Sequence, residues 1–160
     1  MADQFGLASA IYVMDADGGN VLRVSELGGH ALNPVWSPDD NLIAYQSNIA
    51  HAYNDIYVYE LETEQTRLVT TNEGERYDVA QDTAPTWICD STVMVFTSDI
   101  EGDNNLYSVD VLPIDAPPVN VDEAASRLTD SEHNDRDPQN SPPEENASRA
   151  GSVPPKYTGN

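Results

Sequence analysis

An all-β fold of successive four-stranded antiparallel sheets, a partial β-propeller, is predicted by three observations in this sequence. A segment with an apolar residue, a tyrosine and then alternation recurs along the chain, and a proline-tryptophan segment recurs beside it with nearly the same period. Each period divides into short β-branched and aromatic runs bounded by Gly, Pro, Asn and Asp, the sign of consecutive hairpins.

The first marker is carried by Ala10-Ile11-Tyr12-Val13-Met14-Asp15, Asp55-Ile56-Tyr57-Val58-Tyr59-Glu60 and Asn105-Leu106-Tyr107-Ser108-Val109-Asp110; the steps from Ile11 to Ile56 and from Ile56 to Leu106 are 45 and 50 residues. The second is carried by Asn33-Pro34-Val35-Trp36-Ser37-Pro38-Asp39-Asp40, by Ala84-Pro85-Thr86-Trp87-Ile88-Cys89-Asp90, and by a worn copy, Asp137-Pro138-Gln139-Asn140-Ser141-Pro142; Trp36 to Trp87 is 51 residues. Strands are expected near 34–37, 42–47, 55–61 and 65–70 in the first full period, and near 84–89, 92–98, 105–111 and 125–129 in the second. Four strands per period is the count of a propeller blade. An opening pair near 10–15 and 20–24 matches only the third and fourth strands of a blade, and a degraded first strand is expected near 137–142. Pro38-Asp39-Asp40-Asn41 and Asp15-Ala16-Asp17-Gly18-Gly19-Asn20 suit tight reversals. Leu42-Ile43-Ala44-Tyr45 and Val93-Met94-Val95-Phe96 are nearly continuous apolar runs, as expected of strands covered on both faces, and no segment shows a helical stripe.

The pattern Ile-Tyr-Val-Met-Asp-Ala-Asp-Gly at 11–18, followed by Asn-Pro-Val-Trp-Ser-Pro-Asp-Asp-Asn-Leu-Ile-Ala-Tyr-Gln-Ser-Asn at 33–48, resembles the TolB-like β-propeller repeat. The resemblance covers about residues 10–142 and is strongest over 10–60. Asp40 stands where the family usually has Gly, the second copy loses Ser-Pro, and the third has Asn140 in place of Trp. The resemblance implies a binding or scaffolding module, and a periplasmic or extracellular location.

The expected organisation is a lead-in at 1–9, blades at 10–130, and a degenerate strand with a Pro-rich acidic tail at 131–160. Two full blades and partial ones fall short of a closed ring, so the expectation is a fragment of a longer propeller or faces covered by another chain. The final thirty residues, rich in Pro, Ser, Asn, Glu and Asp, read as a solvated arm.

Seven basic against 28 acidic residues leave a net charge of −21, which disfavours nucleic acid and anionic lipid as partners. A protein partner, or neighbouring copies of the chain, remains compatible with that charge. The single cysteine, Cys89, excludes an internal disulfide framework, and its apolar neighbours Trp87 and Ile88 suggest a buried thiol. No apolar run is long enough to cross a membrane as a helix, and Met1-Ala2-Asp3-Gln4 lacks the basic start of a signal peptide.

Chemistry-bearing constellations are weak. Asp15, Asp17 and Asn20 place oxygen ligands at the start of a calcium-loop-like turn, yet Val21, Leu22 and Val24 read as a strand and a plain hairpin turn accounts for the residues. Asp99-Ile100-Glu101-Gly102-Asp103 is a second acidic turn of the same kind. His30, His51 and His133 could supply a metal site or a general base, and His30 and His133 stand four and five residues before Pro34 and Pro138, but the second copy offers Asp82 and no His, which favours loop polarity; no nucleophile elbow or phosphate-cradling loop occurs. No catalytic residue, metal site or cofactor is therefore expected, calcium being the weak alternative. Trp36 and Trp87, by their repeat position, are expected between blades. The expected interaction surface is the set of loops entering the innermost strands, carrying His30, Asn33, Tyr77, Asp78, Asp82, His133 and Asp137. The alternatives are a structural subunit completed by neighbouring chains and an accessory propeller of a peptidase or lyase.

Overall fold

Alternating apolar and polar residues between Gly- and Asp-rich turns fold into hairpins throughout the computed structural model, which describes residues 8–50, 52–72, 80–88, 91–111, 116–130, 135 and 138. β1 (Tyr12–Val13) and β2 (Leu22–Arg23) form an isolated antiparallel pair. β3 (Ala31–Trp36), β4 (Leu42–Ser47), β5 (Asp55–Glu60) and β6 (Gln65–Leu68) follow as a four-stranded antiparallel sheet in that order, the first complete blade. After β7 (Thr70–Thr71), the second blade is built of β8 (Asp82–Ile88), β9 (Val93–Ser98), β10 (Asn105–Asp110) and, beyond an excursion, β12 (Ser126–Arg127). The excursion holds β11 (Val119–Asn120), which pairs in parallel with β7, and a single helical turn, α1 (Val121–Ala124).

The predicted two-blade plan with a half-blade before it is what forms, with differences at the strand ends. β3 and β8 begin earlier than Pro34 and Ala84, because each strand continues through a bulge placed just before its proline. The fourth strand of the second blade is two residues long, and α1 and β11 occupy a stretch with no helical period in its sequence. A single turn is too short to show one; its signal is the cap, where the Asn120 carboxamide oxygen accepts from the Asp122 N–H at 3.2 Å. The degraded strand expected near 137–142 lies outside the described residues, apart from Pro138.

Equivalent hydrogen bonds recur with the sequence period. The amides of Ile11, Ile56 and Leu106 donate to the hydroxyls of Ser25, Thr70 and Thr129, each at 3.0 Å. The carbonyls of the same three residues accept from Val24, Val69 and Leu128 at 3.0, 2.7 and 2.7 Å. The amides of Ala31, Asp82 and Asp135 donate to the carbonyls of Ser9, Asn54 and Asn104 at 2.9, 2.8 and 2.8 Å. That third set puts Asp135 at the repeat position of Ala31 and Asp82, with Pro138 three residues on, as Pro34 follows Ala31 and Pro85 follows Asp82.

The first blade buries both faces. The side of the first blade carrying Ala44, Ile56 and Val58 meets the side of the second carrying Trp87, Met94, Phe96, Tyr107 and Val109, forming the larger core. The opposite side, Ile43, Tyr45, Tyr57 and Tyr59, meets Ile11 and Val24 of the half-blade. Two-sided burial explains why β4 and β9 read as continuous apolar runs, every residue after the first being buried. The ring pair Tyr45 and Tyr57, stacked with centroids 5.8 Å apart, recurs one blade later as Phe96 and Tyr107 at 6.1 Å. The excursion seals the outer end of the inter-blade core, with Val121 fully buried in it and Val119 and Ala125 packed against it.

Trp87 fulfils the expectation of packing between blades, being 1 % exposed, with its indole N–H donating to the Val35 carbonyl at 3.2 Å. Trp36 does not: it is 46 % exposed. It faces the side of the half-blade, where the two inner strands that would cover it are absent among the described residues.

Candidate binding surface along the inner strands

The inner strands β3 and β8 share a kink. Asn33 and Ala84 have φ of 52° and 50°, where the register shifts between Leu32 and Val35 and between Thr83 and Thr86. Asn enters this left-handed region readily, whereas Ala does so at a cost of about 1 kcal/mol or more. The two kinks are joined through Gln46, whose buried carboxamide oxygen accepts from Asn33 Nδ2 at 2.8 Å and from the Ala84 N–H at 3.0 Å. The bulges turn the following residues toward a cavity of about 500 Å³ lined by Val35, Trp36, Pro38, Pro85, Thr86, Trp87 and Pro138. These residues come from three successive repeats, so the cavity follows the inner wall of the propeller arc. Its lining exposes more polar than apolar surface, much of it between proline, valine and tryptophan side chains, and carries no titratable side chain.

The floor of this wall is set by the β3–β4 reversal. Ser37 donates through its hydroxyl to Asp39, which holds the Asp39 carboxyl below the usual carboxylate range. Asp40, in the place of the expected Gly, has φ of 58°, and its repeat counterpart Ser91 has 65°, so both copies use a left-handed turn residue.

Of the residues predicted for the surface, His30 and Asn33 flank the entrance to β3. His30 is exposed; its Nδ1 accepts from the Ser9 N–H at 3.2 Å and its own N–H donates to Asn48 Oδ1 at 2.7 Å. Asn33 is exposed with its amide committed to Gln46. Asp82 is a correction: it is fully buried and presents nothing to a partner. Its carboxylate accepts from Asn72 Nδ2 at 3.1 Å, and burial pushes its carboxyl up to about 6 against the opposing pull of Ser98, Thr70 and Asn72. Because it stands opposite Ser98 on the side facing the first blade, Asp82 ties the blades together. Tyr77, Asp78, His133 and Asp137 lie outside the described residues, as do His51 and Cys89.

The acidic turns are explained by their own hydrogen bonds. Asn20 Nδ2 donates to Asp15 Oδ2 at 2.6 Å, the Gly19 N–H to Asp17 Oδ1 at 2.9 Å, and the Gly18 N–H to the Asp15 carbonyl at 2.9 Å. In the second turn Asp99 Oδ1 accepts from the Gln81 N–H at 2.6 Å, and Glu101 pairs with Arg127. Among the described residues no three His, Cys, Asp or Glu side chains are grouped to hold a metal ion, and no helix is long and apolar enough to cross a membrane.

The chain matches the TolB beta propeller domain over residues 6–146. It belongs to the TolB β-propeller family. The Tol-Pal system protein TolB of Desulfosudis oleivorans is 31 % identical over 97 residues, which cover 61 % of this chain and 20 % of that protein. Among solved structures, a protein assigned as TolB from Agrobacterium tumefaciens superposes with a TM-score of 0.61 at 24 % identity, covering 84 % of this chain and 42 % of that one. TolB from Acinetobacter baumannii gives 0.58 at 22 % identity, covering 79 % and 28 %. The chain thus spans about a fifth of the curated relative and less than half of either structure.

Within this TolB-type frame, what sequence reading missed was the cavity wall. Val35, Pro38, Pro85 and Thr86 sit inside the very segment that marks the repeat, and read there only as part of that marker. A proline recurring at each entry to an inner strand, next to a residue able to take positive φ, was the available clue.

Proposed function

We propose that this chain is a non-catalytic protein-interaction module, with the inner wall of its blades as the recognition surface. The observation that carries the reading is the cavity of about 500 Å³ bounded by Val35, Trp36, Pro85 and Thr86. Rigid prolines and an indole offer apolar contact at little ordering cost, and Thr86 adds a hydroxyl for orientation. With no titratable group in that lining, the wall suits a bound polypeptide better than acid–base chemistry. His30 and Asn33 extend the same surface at the strand entrance.

The relative's name places it in a Tol-Pal system. A protein of such a system is accordingly the partner class we favour, in a periplasmic or extracellular setting that rests on family resemblance. Titration calorimetry against the Pal component of Desulfosudis oleivorans tests both parts. Binding by the chain, weakened at least tenfold in Thr86→Arg, is the expected result. Equal affinity in Thr86→Arg removes the inner wall from the reading, and absence of binding removes the partner.

A further inference from the structure

We propose that the buried polar cluster around Asp82, at the junction of the two complete blades, is a binding site for a dehydrated monovalent alkali cation, sodium or potassium. Both blades build the site. Asp82 opens β8 and stands opposite Ser98, the last residue of β9, on the side facing the first blade. Thr70 and Asn72 follow the outer strand of the first blade; being two residues apart in extended chain they share a face, and both act on the Asp82 carboxylate. Asp82, Ser98 and Thr70 are 0 % exposed and Asn72 is 8 % exposed.

Three oxygens of this cluster have no hydrogen-bond partner among the described residues: Asp82 Oδ1, Ser98 Oγ and Asn72 Oδ1. The bonds that do form leave them over. Asn72 Nδ2 donates to Asp82 Oδ2 at 3.1 Å, and Thr70 Oγ1 accepts from the Ile56 N–H at 3.0 Å. Buried polar oxygens are almost always satisfied, so three orphans around one carboxylate call for a species that the chain itself does not supply.

Electrostatics gives that species its charge. Burial is the largest influence on the Asp82 carboxyl, and the charged group that acts on it is a second carboxylate, half-buried Asp99, whose effect has the same sign. No basic side chain among the described residues counters them. A buried water would answer the orphan oxygens and leave the carboxylate uncompensated, whereas a cation answers both. Oxygen ligands select a hard ion. One carboxylate among neutral hydroxyl and carboxamide oxygens matches a single positive charge, while calcium takes about six to eight oxygens and zinc favours nitrogen and sulfur. The same donor set agrees with the lack of any group of three His, Cys, Asp or Glu side chains among the described residues. Bound there, the cation ties Thr70 and Asn72 of one blade to Asp82 and Ser98 of the next, and the salt in the medium sets how firmly the blades are joined.

The test is thermal unfolding followed by circular dichroism at pH 7.5, with choline chloride replaced stepwise by sodium or potassium chloride. Ionic strength is held constant, so that screening of the 28 acidic residues does not change. The expected result is a saturable rise of the midpoint, by about 3–6 °C at an ion concentration about ten times that of half-saturation, and the salt that acts at the lower concentration identifies the ion. In choline chloride Asp82→Asn should be the more stable chain, because the wild type then holds an uncompensated charge. Alkali cation should close or reverse that difference, since the variant does not respond to it. Ser98→Ala keeps the carboxylate and should raise the half-saturating concentration at least threefold. Equal midpoints in all three salts, the same rise in wild type and Asp82→Asn, or stabilisation by calcium chloride with none by either alkali chloride overturns the proposal. If Asp82→Asn does not fold, Ser98→Ala decides, and an unchanged half-saturating concentration in that variant overturns it equally.

Discussion

Trp36 and Trp87 stand at the same position of consecutive repeats, yet one is 46 % exposed and the other 1 %. The difference has an energetic consequence. Trp87→Ala opens a cavity in the inter-blade core and strands the Val35 carbonyl, at an expected cost of about 3–5 kcal/mol. Trp36→Ala removes a ring that is half in water, and its expected cost is about 1 kcal/mol or less. Urea unfolding followed by circular dichroism measures both; equal losses would mean that Trp36 is as well covered as Trp87.

The hydroxyl that closes each blade offers a second test. Thr70 Oγ1 accepts from the Ile56 amide at 3.0 Å, and both residues are fully buried, so Thr70→Val leaves that donor without a partner at nearly unchanged volume. A loss of about 1–3 kcal/mol is expected. Hydrogen exchange at the Ile56 amide should quicken in the same variant. Ser25→Ala at the equivalent place in the half-blade should cost less, because the neighbouring Leu22 and Arg23 are not fully covered.

How much of this was legible in the sequence follows from which forces act locally. β4 and β9 are visible as apolar runs because residues on both of their faces are buried, and the turn at Asp39-Asp40 is visible because Asp tolerates the positive φ that Asp40 adopts. The excursion through β11 and α1 was not, since Val119 and Val121 gain their burial from the core between the two blades and carry no period of their own. Asp82 misled in the other direction. An acidic residue just before Pro85 looks like loop polarity, and only the approach of Asn72 and Ser98 across the blade junction makes it interior. The candidate surface was half legible: His30 and Asn33 follow from their place in the loops entering the inner strands, whereas Pro85 and Thr86 are brought to the cavity by bulges that spacing does not reveal.

Arg67 carries a third prediction. It is 6 % exposed, and neither terminal guanidinium nitrogen has a hydrogen-bond partner among the described residues, so burial acts on it and lowers its pKa. A buried charge without a partner opposes folding. Replacing it by an unbranched apolar side chain, Arg67→Met, keeps the aliphatic packing and removes the charge. The expected gain is about 1–3 kcal/mol, read as a higher urea midpoint. A loss of that size would show that the guanidinium holds a partner in solution.

Asp82 sets the pH dependence of the blade junction. Its carboxyl is raised to about 6 in the folded chain, chiefly by burial and further by nearby Asp99, while an unfolded Asp titrates near 3.9. Above pH 6 both states are ionised and the folded state bears the full cost of an interior charge, on the order of 3 kcal/mol. As the pH falls from 6 to 4 the folded chain takes up a proton before the unfolded chain does, so this contribution to stability grows and is complete below about 4. With 28 acidic residues, other carboxyls also respond to acid, and the informative quantity is the difference between the wild type and Asp82→Asn. Asn keeps an acceptor for Asn72 and cannot ionise, so the wild type should be less stable than the variant at pH 7.5 and should close that gap by pH 4. Urea midpoints across this range decide the matter: parallel profiles would mean that Asp82 does not titrate in the window, and that its carboxylate is held ionised by the polar groups around it.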